Sequence, residues 1–214
     1  MFFSLNRNIG YIKYVDRQLT NIFPDRMDNL PLLRKVCAKA IDNTYGCISK
    51  VKVWNGLNLD LNISGHDVIF LYFLARAVYI DYDNELLATK IFRLNKVLNG
   101  IDLFYEIEMP EIFLVGHTQG IVLAKANYGN RIVLHQNCTV GRKNNNRPLI
   151  EEKVIMFPGS MIIGDCYIRQ NTVIAPGVCL VDRETPGNCY VFSGSNGPEI
   201  KEARREIWRD YFID

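Results

Sequence analysis

Hydrophobic and polar positions follow two different periods along this chain, and the change falls at Gly100. Before it, apolar residues recur at helical spacing in three segments. The first, DNLPLLRKVCAKAID (28–42), opens on Asp28 or Asn29 as a cap with Pro31 near the first helical position. The second, HDVIFLYFLARAVYI (66–80), follows Ser64-Gly65 and carries Asp67 near its start. The third, DNELLATKIFRLNKVL (83–98), runs into Asn99-Gly100, which predicts a left-handed cap. Between the first two, VKVWNGLNLDLNI (51–63) alternates around Asn55-Gly56, the pattern of a hairpin. The most apolar run, Ile69 to Ile80, is 12 residues long and contains Arg76, which suits a buried helix better than a membrane span.

After Gly100 the period becomes six. Steps of six from Ile150 reach Met156, Ile162, Ile168, Ile174 and Leu180, all apolar. Four places after the first five of these lie Val154, Ser160, Cys166, Thr172 and Val178, all small or β-branched. Six apolar hits in six steps arise by chance about once in a hundred at an even apolar fraction, so this is a repeat. It predicts a parallel β-helix in which each hexad makes one flat side and its turn and three hexads complete a coil. The large residue points inward and the small one sits where the wall bends. Leu134, Val140 and Cys138 extend the pattern upstream, and GRKNNNRP (141–148) breaks it, as a loop thrown out of the coil would. The tail PEIKEARREIWRDYFID reads as a helix with Ile200, Ala203, Ile207 and Tyr211 on one side, packed on the body or on a neighbouring subunit.

Composition narrows the classes. With 214 residues and 48% hydrophobic content the chain has ample material for a core. Lys and Arg outnumber Asp and Glu by only 25 to 23, which leaves no broad basic field for nucleic acid or an anionic membrane. The six cysteines show neither a CxxC pair nor zinc-type spacing, and predict reduced, small apolar residues in a cytoplasmic protein. MFFSLNRNIGYIKY lacks the apolar core and cleavage site of an export signal.

Several fragments stand in a particular order: GID (100–102), GHTQGIV (116–122), QNCTVG (136–141), a loop ending in RP, VIMFPGSMIIGD (154–165) and VIAPGVCLV (173–181). In this combination the chain resembles the hexapeptide-repeat acyltransferases, and among them the serine acetyltransferase group. The resemblance implies an α+β fold: a helical domain over 1–99, a left-handed parallel β-helix over 100–194 and a short C-terminal helical tail over 195–214. It implies acetyl-CoA as co-substrate, no metal, and a homotrimer or dimer of trimers with shared active sites. The family pairs an Asp with a His fifteen residues later, and Asp102 and His117 reproduce that spacing. A neutral imidazole is a natural base for a hydroxyl, and a carboxylate on its other nitrogen would fix the tautomer. The alternative is that His117 merely fills a turn and Asp102 caps the start of the β-helix. By position in the family, Gly141, Ser160 and Val173 line the CoA groove, with Val173 where a Lys is often found. Arg142, Lys143 and Arg183 either meet its phosphates or are solvated loop charge.

His135 follows His117 by three hexads and is a turn residue or an active-site neighbour. A β-helix zinc site would need a third ligand, and the one remaining histidine, His66, lies in the helical half. The chain departs from the serine acetyltransferase pattern where an Asp usually precedes the catalytic His and an Arg-His pair precedes the later Pro. Gly116 stands in the first place and Asn146-Arg147 in the second. The missing Asp binds the acceptor's ammonium, and an unpaired ammonium in a closed pocket costs several kcal/mol. These substitutions predict a larger neutral acceptor, a hydroxyl of a glycan or nucleotide sugar in surface-polysaccharide synthesis, with L-serine as the alternative. A non-catalytic β-helix scaffold is a further reading from another class. The Phe-Ile-Asp ending argues against docking into cysteine synthase.

Overall fold

The computed structural model describes residues 2–25 and 27–213, with side chains from residue 9 onward. Four helices come first: α1 (Phe2–Ile22), α2 (Leu30–Ile48), α3 (Ser64–Tyr82) and α4 (Glu85–Asn99). α1 is additional to the three helices that the pattern predicts; its buried residues Ile12, Val15 and Leu19 are spaced three and four apart, a narrow apolar stripe on a polar segment. α2 starts with Asn29 at its cap position, and the Asp28 carboxylate accepts from the Leu30 N–H at 3.2 Å. It runs on to Ile48 because Thr44, Cys47 and Ile48 are buried against the rest of the molecule. α3 is buried on almost every side, so its apolar residues do not form a stripe. α4 is capped by the Asn84 side chain, which accepts from Leu87 N–H at 3.0 Å, and ends at Gly100 with φ +67°, the expected left-handed cap.

No hairpin forms over 51–63. Lys52–Trp54 is a short 3₁₀ turn, and Val51 bridges to Phe212 of the C-terminal tail instead. Burial decides against the strand pairing: Trp54 turns inward to meet the His66 ring edge-on, with centroids 4.8 Å apart, and Leu59 is buried beyond it.

Among the described residues fifteen strands follow, and all but the last lie parallel to their neighbours in three walls of a solenoid of about 5 turns. The first wall holds β1 (Asp102–Leu103), β3 (Val122–Leu123), β6 (Thr139–Gly141), β9 (Met161–Ile163) and β12 (Cys179–Val181). The second holds β4 (Asn127–Tyr128), β7 (Leu149–Ile150), β10 (Tyr167–Ile168) and β13 (Glu184–Thr185). The third holds β2 (Phe113–Val115), β5 (Ile132–Leu134), β8 (Ile155–Met156), β11 (Thr172–Ile174), β14 (Cys189–Gly194) and β15 (Gly197–Glu202). The registers stack Val115, Leu134, Met156, Ile174 and Val191 in one buried column and Leu123, Val140, Ile162 and Leu180 in another. The sixth-place residues are therefore the core, as their period predicts.

The small fourth-place residues, Val154, Ser160, Cys166, Thr172 and Val178, are buried at the bends. The residue before several of them takes a left-handed backbone, φ +72° at Gly159, +52° at Asn171 and +70° at Gly177, which explains the Gly and Asn there. The 141–148 segment does leave the coil: Lys143 and Asn146 close a tight turn by mutual backbone hydrogen bonds of 3.2 and 3.1 Å, with residues 142–147 turned outward.

The tail differs from the predicted helix. β15 turns back at Gly197 and pairs antiparallel with β14, because the last coil presents an open strand edge that extended residues satisfy. Among the described residues of the tail only Ile207–Asp210 is helical, a 3₁₀ turn. The chain then packs on the body, burying Trp208 and Phe212 and linking Tyr211 and Ile213 to the 50–52 backbone. All six cysteines are free and five are buried as expected, whereas Cys179 is exposed on the outside of β12. Burial pushes the Cys37 and Cys47 thiols up to about 12. Among the described residues no helix is long and apolar enough to cross a membrane.

Candidate functional site

The turn from β2 to β3, residues 116–121, is clamped from both sides. On one side Gly116 N–H donates to Leu134 O of the next coil at 2.9 Å. On the other, the turn hangs on the end of α4: the buried Thr118 hydroxyl donates to Asn99 O at 2.7 Å, and Gly120 N–H donates to Gly100 O at 3.0 Å. α3 closes in as well, since a Cβ on Gly65 would lie 3.1 Å from Val115 O. Between these anchors His117 is exposed and holds φ +51°, a conformation that costs a non-glycine residue of order 1 kcal/mol and persists only where the surroundings impose it.

Asp102 opens β1, in register with Val122 of β3, and its N–H donates to Ile121 O at 2.8 Å. Asp102 and His117 thus flank the same turn-to-strand step on adjoining layers. The Asp102 carboxylate is engaged by Lys96 Nζ through Oδ2 at 2.6 Å, and among the described residues it shares no hydrogen bond with His117. Lys96 sits in the last turn of α4, so one helix end holds both the turn and this carboxylate.

Beneath the turn lies a buried polar cluster that the sequence pattern did not single out. Asn99 Nδ2 donates to Asp67 Oδ2 at 2.7 Å and to Asn95 Oδ1 at 3.1 Å, and Asn95 Nδ2 donates to Val68 O at 3.1 Å. Asp67 Oδ1 and His66 Nε2 are sealed from solvent without a partner. Burial lifts the Asp67 carboxyl from 3.8 to about 6, opposed by the Asn99 amide, and burial lowers the His66 imidazole. The available signal was two asparagines four apart on one helix, among positions that otherwise read as core.

One coil on from Gly116, His135 stacks on Phe157 with ring centroids 5.3 Å apart and planes 3° from parallel. Its Nε2 lies 3.2 Å from the Tyr211 hydroxyl of the tail. A Cβ at Gly116 would come within 3.3 Å of His135 Nδ1, so the glycine leaves room for the ring. Burial and the neighbouring charge of His117 lower the His135 pKa.

The remaining candidates are spread over the solenoid. Gly141 ends β6 opposite Ile163, and Arg142 follows it at the foot of the outer loop. Arg183 is exposed just after β12 on the same edge, where Lys143 is paired with Asp182. The Ser160 and Val173 side chains are buried, one inside a bend and the other in the third wall. The reason is the repeat itself: the fourth hexad place, which Ser160 fills, points into the bend. Asn146 and Arg147 ride the loop between the first and second walls, whereas Gly116 and His117 occupy the edge between the third and first. Within one chain these two sets are apart. Among the described residues no group of three metal-ligating side chains converges.

No family model matches the sequence and no curated protein matches it. Solved structures do. A serine acetyltransferase from Vibrio cholerae O1 biovar El Tor N16961 is 17% identical over 84% of this chain and 75% of its own, with a TM-score of 0.63. The Neisseria gonorrhoeae serine acetyltransferase in complex with serine is 16% identical over 83% of this chain and 79% of its own, TM-score 0.65. A serine acetyltransferase in complex with CoA is 17% identical over 86% and 81%, TM-score 0.67. The fold is that of the serine acetyltransferases. Helices followed by a left-handed β-helix are common to this chain and that fold.

Proposed function

We propose that the protein is an acetyl-CoA-dependent O-acetyltransferase, with His117 as general base, Asp102 as its orienting carboxylate and L-serine as the best-supported acceptor. The observation that carries this reading is the exposed, clamped His117 turn, beside Asp102, in a fold whose solved examples hold serine, cysteine or CoA. His117 takes the proton of the acceptor hydroxyl as its oxygen bonds to the thioester carbonyl carbon. The carbon–sulfur bond then breaks, and the imidazolium returns the proton to the departing CoA thiolate. Lys96 pairs with Asp102 through Oδ2, so Oδ1 is the oxygen that would meet the imidazole as it gains charge.

For CoA, Arg142 and Arg183 offer exposed cations on one edge of the first wall. The outer face of that wall leaves Val122, Met161 and Val181 uncovered, an apolar strip suited to a pantetheine arm or to a second subunit in a trimer or dimer of trimers. The glycan acceptor and the role in polysaccharide synthesis expected from Gly116 find no support among the structural neighbours, which point to serine and cysteine biosynthesis. Gly116 itself is better explained by the His135 ring that it accommodates.

The test is thiol release from acetyl-CoA with L-serine, alongside sugar acceptors. His117→Ala should lower kcat by roughly 10²- to 10⁴-fold, the usual worth of a general base. Equal turnover by wild type and variant would remove His117 from the mechanism.

A further inference from the structure

His135 is held on two sides and open on a third. Phe157 supports one ring face, and the Tyr211 hydroxyl meets Nε2. Nδ1 faces the space that a side chain at Gly116 would fill, beside the exposed His117, and has no protein partner among the described residues. An imidazole packed this firmly, with one nitrogen directed at the space next to the proposed base, is arranged to contact what the base acts upon. Burial and the proximity of Asp210 raise the Tyr211 pKa, so its hydroxyl keeps its proton and can donate to Nε2. With Tyr211 as the donor the ring proton resides on Nδ1, and burial lowers the imidazole pKa, which favours the neutral ring.

We infer that His135 positions the acceptor, its Nδ1–H donating to an acceptor oxygen close to the reacting hydroxyl, with Tyr211 fixing the tautomer. This role rests on the O-acetyltransferase reading above. The oxygen is the carboxylate of a hydroxy amino acid or a second hydroxyl of a polyol, and the geometry is the same for both. It also gives the C-terminal tail a part in the site, since the tail crosses the third wall to bring Tyr211 to the ring.

The experiment measures acceptor and acetyl-CoA KM separately in two arms: L-serine against ethanolamine, which lacks the carboxylate, and a sugar vicinal diol against its monodeoxy analogue. In the arm that holds the true acceptor, His135→Ala should raise acceptor KM at least tenfold, move acetyl-CoA KM less than twofold, and abolish the preference for the oxygen-bearing compound. His135→Asn, which keeps an N–H donor, should recover most of the loss, and Tyr211→Phe should show part of it. Acceptor KM within twofold of wild type in His135→Ala overturns the role while the reaction stands. An equal rise in both KM values also overturns it, as general damage to the site. Wild-type protein that transfers acetyl to no compound in either arm overturns the reaction, and this role with it.

Discussion

The solenoid interior and the junction where α3 and α4 meet its first coil both bury polar side chains, and they satisfy them differently. Inside the solenoid the hydroxyls pair along the stack: Thr172 Oγ1 donates to Arg169 O at 2.7 Å or shares a proton with Thr185 Oγ1 at 3.0 Å, and Ser160 lies 3.6 Å from the Cys138 thiol. At the junction Asp67 and His66 each keep a buried atom without a partner, and Asp67 is linked through Asn99 to Thr118 of the His117 turn. A repeat offers its buried hydroxyls a partner because each coil meets a copy of the same bend, and among the atoms it leaves sealed without one, Gln136 Oε1 and Asn171 Oδ1 are amide oxygens that carry no charge. The junction is made once, and the groups it leaves unpaired are ionisable, a carboxyl and an imidazole, which marks it as the place where stability yields to another demand.

The largest effect should come from breaking the regular part. Met156 is fully buried in the middle of its column, between Leu134 and Ile174. Met156→Ala should cost about 2–5 kcal/mol by the loss of transfer energy and the cavity left behind. The denaturant midpoint reads it, and the loss should be the same at pH 4 and pH 7 because no titrating group is touched. A pH-dependent loss would mean that the solenoid is not the neutral scaffold described.

The next effect belongs to the junction and has the opposite character. Burial holds the Asp67 carboxyl at about 6 in the folded chain against the ordinary 3.8, so folding takes up a proton between those values. The contribution of protonated Asp67 is complete below about pH 4 and is lost as pH rises through about 6. Asp67→Asn should therefore match wild type near pH 4 and exceed its stability by about 3 kcal/mol above pH 7, at 1.36 kcal/mol per pKa unit. His66, lowered by burial, and Tyr14, which senses the Asp67 charge, face the same cluster and persist in the variant, so the difference between the two stability curves isolates Asp67. A difference that is flat with pH would remove the buried charge from the account.

The same contrast explains what the sequence could convey. The solenoid was legible because the period is strict: Ile150 through Leu180 announce the core, and Val154 through Val178 the bends, without reference to anything distant. α3 and the Gly100 cap were legible from local chemistry. The 51–63 segment and the tail were not, because partners far along the chain decide both. Val51 pairs with Phe212, and β15 fills the edge that β14 leaves open. Of the site, the fifteen-residue spacing pointed to Asp102 and His117, but not to the Lys96 pair at the Asp102 carboxylate or to the Thr118 anchor. Helical spacing places Tyr211 on one face of a helix, whereas its hydroxyl reaches His135 across 76 positions of sequence.

Two threonines make the finest comparison. Thr118 at the junction and Thr172 in the solenoid are both buried, and each donates one hydrogen bond of 2.7 Å to a backbone carbonyl, Asn99 O and Arg169 O. Replacing either by Val keeps the shape and removes that bond, so each should cost about 1 kcal/mol of stability by thermal or chemical unfolding. Their effects on acetyl transfer should diverge. Thr118 is the residue after His117 and ties its left-handed turn to α4, so Thr118→Val should let the imidazole drift and lower kcat roughly tenfold, a loss typical of a misplaced catalytic group. Thr172 holds only a bend three coils away, and Thr172→Val should leave kcat within twofold of wild type. Equal kcat in the two variants would mean that the turn holds His117 without its anchor, and that the junction tolerates its unpaired groups for a reason other than positioning the base.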